Sequence, residues 1–260
     1  MQGIHAVAAA HGDLGLWPTR PDYLDHELEH ARLVVSEDGD GRISGFGAAI
    51  ERSGATYLAD LFVLPDRLGE GRGGAMMREL FPRPSPRFTF ASSDPRTRPL
   101  YTRFGMRPFS RLLYLSADQA SVRGLPDPGV ELVEVAGSDV IDADRRASGR
   151  ERPEDLLFLG TVGAFFVAGG AYGYLRIVGE EALLNPSGAD EPDALARITV
   201  AMIRHAAGRA SVIRVAAMES HPALAALLDA GFTVKDSDTY MSTAPELVEG
   251  TRYGPSPVIG

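Results

Sequence analysis

Two stretches of this chain combine residue types and spacing that could do chemistry. In HELEH, His26 to His30, two imidazoles stand at i and i+4 with a glutamate between them, the arrangement by which one helical face binds zinc and activates a water. A working site needs a third protein ligand. The other histidines, His5, His11, His205 and His221, fall at no spacing that extends the pattern, and the chain has no cysteine. The expectation is therefore a polar helix without metal, with Asp25, His26, Glu27, Glu29, His30 and Arg32 facing water. The second stretch is YLADLFVLPDRLGEGRGGAMMREL, Tyr57 to Leu80. An apolar strand ends at Pro65, Gly69, Gly71, Gly73 and Gly74 form a turn, and Ala75, Met76, Met77 and Leu80 mark a helix. Glycines let backbone N–H groups crowd around an anion, and the positive end of the new helix points to the same place. A pyrophosphate suits such a turn, although glycines also make ordinary strand-to-helix connections.

Two other phosphate loops are excluded by their own logic. No Gly-Lys-Ser/Thr closes the turn, so it is not a nucleoside triphosphate loop. The strands before it read as antiparallel hairpins rather than a βαβ unit, which excludes the dinucleotide type.

The elements that must position this turn occur twice. FTFASSDPRTRPLYTRFGMRPFSRLLYLS, Phe88 to Ser116, and IRVAAMESHPALAALLDAGFTVKDSDTYMST, Ile213 to Thr243, each read as strand, Asp-Pro or His-Pro turn, helix, Gly plus an apolar residue, and closing strand. Upstream of each lies a hairpin, turning near Asp38 to Gly41 in one case and at Gly169 and Gly170 in the other. This order predicts a duplication, with halves 1–118 and 130–260 joined by a linker over 119–129. The tail from Gly250 reads as extended and irregular.

Composition sets wider bounds. The 260 residues are 44% hydrophobic and 23% charged, as in ordinary globular proteins. Without cysteine there can be no disulfide, thiolate metal site or thiol nucleophile. A net charge of −9 disfavours nucleic acid and favours a cationic ligand. No secretory signal or membrane span is read, so a cytoplasmic location is the default expectation. A homodimer is compatible with the sequence.

Strand, G-x-G-x-G turn, helix, strand, then a helix bearing Leu100-Tyr101 and the pair Gly105-Met106, resembles the GNAT acetyltransferase superfamily. The likeness is specific from about Ala31 to Leu115 and rests on topology and the Ala223, Leu227, Leu228, Gly231, Phe232 echo in the second half. It implies an α+β fold of two GNAT-like domains, each a mixed, mostly antiparallel sheet flanked by helices, with acetyl-CoA in a split between two strands. The resemblance further assigns the backbone of Phe62, Val63 and Leu64 to the pantetheine arm and the amides from Leu68 through Gly69, Gly71, Arg72, Gly73 and Gly74 to the pyrophosphate. Tyr101 matches the acid that protonates the departing thiolate, and Asp94 stands where the family often has an Asn on the pantetheine. Leu68 replaces the usual Gln or Arg, with Arg67 and Arg72 as nearby cations. Tyr57 stands where several members have a catalytic Glu. Neutral tyrosine is a poor base near pH 7, which leaves Asp60, then Glu51, or water as the base. The helix around HELEH would line the acceptor site.

In the second half, LLNPSGADEPDALARITVAMI offers only Gly188 where the turn should be, and Asp190, Glu191 and Asp193 would repel a pyrophosphate. Leu227 occupies the place of Tyr101. This half is expected to be a degenerate copy that shapes the acceptor pocket or covers the first half, with DADRRASGRERPEDL a solvated helix and loop from which Arg145, Arg150 or Asp155 could touch substrate. The expected function is acetyl transfer from acetyl-CoA to a primary amine of a small molecule. The alternative is a non-catalytic acyl-CoA-binding or regulatory protein.

Overall fold

Local periodicity becomes alternating layers in the computed structural model, which describes residues 2–12 and 14–260. Helices α1 (Gln2–Ala10) and α2 (Tyr23–His30) precede an antiparallel meander of β1 (Arg32–Glu37), β2 (Ile43–Arg52) and β3 (Ala55–Val63). Then come α3 (Arg72–Leu80), β4 (Arg87–Ala91), α4 (Thr97–Arg103) and β5 (Arg107–Asp118). The second half repeats the series with β6 (Val133–Val135), α5 (Ile141–Ser148), α6 (Pro153–Val162), β7 (Ala164–Ala168), β8 (Ala171–Val178), β9 (Glu181–Ala189), α7 (Pro192–Ala207), β10 (Val212–Met218), α8 (Leu224–Asp229) and β11 (Thr233–Ser242), and the tail adds β12 (Tyr253–Gly254). The duplication is visible in hydrogen bonds. Met106 N–H donates to the Tyr101 carbonyl (3.2 Å) and Phe232 N–H to the Leu227 carbonyl (3.0 Å), each after a glycine of positive φ, Gly105 and Gly231.

The two expected sheets are joined into one sheet of 12 strands, whose main path runs β1-β2-β3-β4-β11-β5-β10-β9-β8-β7-β6. Each half gives its last strand to the other: β11 lies between β4 and β5, and β5 lies between β11 and β10. Along β5, Leu113 and Leu115 face one core while Leu112 and Tyr114 face another, the period-2 pattern of a strand covered on both sides. Helix α7 packs Leu195, Ile198, Met202 and Ile203 on the first of these faces, and α3 and α4 cover the corresponding region of the first half with Met77, Leu80 and Tyr101. The opposite, central face is rich in aromatic residues, including Tyr57, Phe88, Tyr172, Tyr240 and Tyr253. The tail lies on this face, where Tyr253 and Ile259 are buried.

Two stretches expected to be solvated are buried in part: Glu29, His30, Asp142, Arg145 and Arg146 are exposed, but other members turn inward. His26 and Glu27 are 4% and 0% exposed, because α2 packs on α6 rather than facing water. His26 Nε2 lies 2.7 Å from Asp155 Oδ1, and its ring stacks on Phe158 at 4.5 Å. Arg52 donates to the same Asp155 oxygen at 2.8 Å. In the charged segment from Asp142, Asp144 receives Arg152 Nε (2.9 Å) and the Tyr172 hydroxyl, while Arg150 donates to the Leu247 carbonyl (2.7 Å) and stacks over Phe88 and Tyr253. Charges can be buried when they are paired and hydrogen-bonded in this way, and a pattern read from one segment alone does not reveal the partners.

Candidate functional site

Strand β3 runs parallel to β4 for only two residue pairs, Thr56↔Arg87 and Tyr57↔Phe88, and then parts from it. Opposite β2, the register of β3 slips at a bulge that leaves Ala59 unpaired between Leu58↔Ala49 and Asp60↔Ala48. Bulges bend strands, and this one lies where the split begins. A cavity of about 540 Å³ fills the opening. Its walls are Leu61, Phe62 and Val63 from β3, the turn from Arg67 to Gly74, Ser92 and Asp94 after β4, and Leu100 and Tyr101 from α4.

The glycine turn has the backbone that anion binding requires. Gly69 and Gly71 adopt φ of +86° and +80°, and Gly71 is the N-cap of α3. No atom would obstruct a Cβ at either position, so backbone conformation rather than crowding calls for glycine there. The amides of the first turn of α3 lack partners within the helix, and Arg72, Gly73 and Gly74, which carry them, line the cavity. Arg67 and Arg72 stand beside the turn, but Asp38 holds both, at 3.1 and 2.7 Å, and Arg72 also donates to Ser44 Oγ at 2.7 Å. They fix the turn to the β1–β2 hairpin.

The predicted cofactor residues therefore meet around one cavity, apart from Leu64. Its amide donates to the Ser44 carbonyl (2.8 Å), which directs it toward β2 and away from the split. Val63 faces the split, and its carbonyl is met by His11 Nε2 at 3.0 Å. The Asp94 carboxylate turns to Arg96, whose hydrogen bonds hold its pKa below the usual range. Tyr101 is 6% exposed, and no hydrogen bond from the described residues engages its hydroxyl. Burial raises its pKa above that of a free phenol, and the charges of Asp238 and Asp60 add to the effect.

The base candidates separate. Tyr57 donates its hydroxyl to the Pro257 carbonyl at 2.6 Å, and burial raises its pKa, so it serves as a strut rather than a base. Glu51 is exposed on β2 beside Pro82 to Ser85, outside the cofactor cavity. Asp60 is 7% exposed at the bulge, near enough to influence Tyr57 and Tyr101 electrostatically. The carboxylate missed in the sequence is Asp238. Strand β11 pairs with β4 from Thr239↔Ala91 onward, on the edge away from β3, so Asp238 stands just past the end of this pairing, near enough to Tyr101 to raise its pKa. It receives the Tyr114 hydroxyl at 2.6 Å, and burial pushes its pKa up to about 6. Nothing in KDSDTYM distinguishes it from a solvent-facing strand residue, because the strand exchange alone brings it here.

A second cavity, of about 330 Å³, lies on the central face over β5, β10 and β9. Trp17, Phe158, Leu183 and Val258 give it apolar walls, Arg176 stacks on Trp17 at 3.6 Å, and Tyr114 and Asp236 line the end toward Asp238. Arg145, Arg150 and Asp155 line neither cavity. Arg145 pairs with Asp142 at the surface, Asp155 is buried against His26 and Arg52, and Arg150 is buried against the Leu247 carbonyl and two aromatic rings. Among the described residues, no cluster of three or more His, Cys, Asp or Glu could hold a metal, and no helix is long and apolar enough to cross a membrane.

The second half has lost its split. Gly188 lies within β9 rather than in a turn, and a Cβ there would lie 2.6 Å from Ala147. Only Asp190 and Glu191 separate β9 from α7, and Asp190 is paired with Arg146. The tail strand β12 pairs with β9 through Tyr253↔Gly188 and Gly254↔Ser187, on the edge that faces β10. The chain thus fills with its own backbone the place where a second pantetheine would lie.

The sequence matches no family model and no curated protein. Solved structures do match. An acetyltransferase candidate from Pyrococcus horikoshii superposes with a TM-score of 0.74 at 15% identity, covering 100% of this chain and 93% of that one. A GCN5-related N-acetyltransferase from Anabaena variabilis gives 0.61 at 13% identity over 93% and 69% of the two chains. A tandem GNAT protein from the clavulanic acid biosynthesis pathway gives 0.58 at 16% identity over 93% and 96%. The chain has the GNAT fold.

Proposed function

We propose that this protein transfers an acetyl group from acetyl-CoA to a primary amine of a small molecule, using one cofactor site per chain. The observation that carries this reading is the convergence, on a GNAT fold, of the Gly69–Gly74 turn, the open edge of β3 and the Tyr101 hydroxyl around one cavity. The turn and the start of α3 would hold the pyrophosphate, and the split would take the pantetheine. His11 must release the Val63 carbonyl if pantetheine is to use it. Tyr101 would face the sulfur. A phenol of raised pKa is a weaker acid than an alkyl thiol, which titrates near about 8.5. Its part is therefore to donate a hydrogen bond to the developing thiolate while the amine, losing its proton after attack, restores the charge balance.

A non-catalytic acyl-CoA-binding role is the second reading, favoured by Tyr57, whose hydroxyl is tied to Pro257 where a Glu base would stand. Calorimetry and an amine panel separate the two. The transferase reading expects a binding stoichiometry near one and amine-dependent release of free CoA. Binding without turnover of any amine would favour the second reading, and a stoichiometry of two would overturn the single-site assignment.

A further inference from the structure

The apolar chamber on the central face and the carboxylate at its edge have no role in the chemistry so far. The chamber is roofed by Trp17, Phe158 and Val258 and floored by Leu183 and Ala216. Its volume of about 330 Å³ is at the small end of those that enclose a small molecule. Tyr114 lines one end and donates to Asp238 Oδ2 at 2.6 Å. On β11, Asp238 shares the central face with Tyr240, whose ring is in the aromatic core there. At the same time it stands just past the end of the pairing with β4. Asp238 itself lines neither cavity, but it joins them: its partner Tyr114 lines the chamber, and its charge reaches Tyr101 on the wall of the cofactor cavity.

Building on the transferase reading, we infer that the chamber is the acceptor site for a small primary amine with an apolar body, and that Asp238, delivered by the second half, binds the ammonium and takes its proton. The step balances. Asp238 removes one proton from R–NH₃⁺ and later gives it to solvent. The nitrogen lone pair of R–NH₂ forms the C–N bond at the thioester carbonyl, and the C–S bond breaks. The second nitrogen proton ends on the thiolate, with the Tyr101 hydroxyl donating toward the sulfur. The products are the amide, CoA thiol and one released proton. A base that titrates about 6 is largely ionised at neutral pH and remains basic enough to accept a proton.

The groups facing Asp238 set the direction of its titration. Tyr114 on β5 donates to it and lowers the pKa, whereas burial and the charge of Asp236 on β11 raise it. Tyr57 on β3 and Tyr101 on α4 feel its charge, and both have raised pKa values, so they stay neutral over the working range.

The test is the pH profile of kcat/KM for amines of apolar and polar body, measured on the full chain beside calorimetry of acetyl-CoA binding. Wild type should prefer apolar-bodied amines and lose activity as pH falls through about 6. Asp238→Asn should cut kcat by on the order of 10²–10⁴-fold and abolish that acid limb, with acetyl-CoA affinity unchanged. Tyr114→Phe should move the limb to higher pH and Asp236→Asn to lower pH, a pair of opposite shifts that a merely structural aspartate would not give. Ala216→Phe, which fills the chamber, should raise KM for the amine and leave cofactor binding alone. An active wild type together with full activity and an unchanged limb in Asp238→Asn overturns this inference alone. A wild type that binds acetyl-CoA but acetylates no amine overturns both it and the transferase reading.

Discussion

At the scale of single residues, the site sets chemistry against stability. An unfolded aspartate titrates near about 3.9, whereas burial holds Asp238 at about 6 in the folded chain. The folded state thus binds the proton more tightly, and stability falls as pH rises from about 4 to about 6. Asp238→Asn should relieve this cost, raising stability at pH 8 by on the order of 1–3 kcal/mol and much less at pH 4. Thermal melts at the two pH values check it; destabilisation at pH 8 would mean that the carboxylate is a structural hydrogen-bond acceptor. Tyr101→Phe tests the other reacting group. The ring stays in its core beside Met106 and Leu80, so folding and acetyl-CoA binding should persist while kcat falls by on the order of 10²-fold or more. Unchanged turnover at saturating acetyl-CoA would remove Tyr101 from the mechanism. Of these two groups, only Tyr101 was legible in the sequence, because its helix and the Gly105-Met106 pair are local signals. HELEH is illegible for the converse reason: His26 looks like a solvent residue until Asp155 and Phe158, more than a hundred positions away, cover it.

At the scale of elements, a strand-to-helix turn determines which half can hold a cofactor. Between β3 and α3 the chain spends eight residues, Leu64 to Gly71, and two of its glycines adopt positive φ. Between β9 and α7 it spends two. The composition of these turns was readable directly, and so was the hairpin ahead of each. The strand exchange was not. The alternation in β5 specifies a face, not a neighbour, and β11, TVKDSDTYMS, runs from exposed to buried without alternating. The filling of the second split by β12 was hidden for the same reason, since a two-residue strand has no periodicity to read. Gly71→Glu should abolish acetyl-CoA binding. It puts a side chain with negative charge at the start of α3 and forces a residue other than glycine into left-handed backbone at a cost of about 1–2 kcal/mol. Calorimetry should register no heat of binding, while a melt keeps a single transition slightly below that of wild type. Retained binding in this variant would mean that the turn is only a connector.

At the scale of the molecule, the exchange makes each half incomplete without the other. Removing residues 130–260 would take β11 from its place between β4 and β5. It would leave both strands with unpaired backbone groups in the middle of a sheet and remove Asp238 from the neighbourhood of Tyr101. Buried backbone polar groups without partners cost free energy comparable to a lost hydrogen bond each, and Leu112, Leu113 and Leu115 would lose much of their cover. The connection near Pro126 to Gly129, by contrast, runs along the surface, with Pro126 and Asp127 exposed, and contributes no strand. A protease site introduced there and cleaved after folding should therefore leave the two pieces bound to each other through gel filtration. The nicked protein should unfold in one transition and bind one acetyl-CoA. Each piece expressed alone should be aggregated or disordered, and mixing the two from denaturant should restore binding. A separately expressed 1–129 fragment that folds and binds acetyl-CoA with wild-type affinity would refute this mutual dependence, and would mean that the first half can close its own sheet without the strand that carries Asp238.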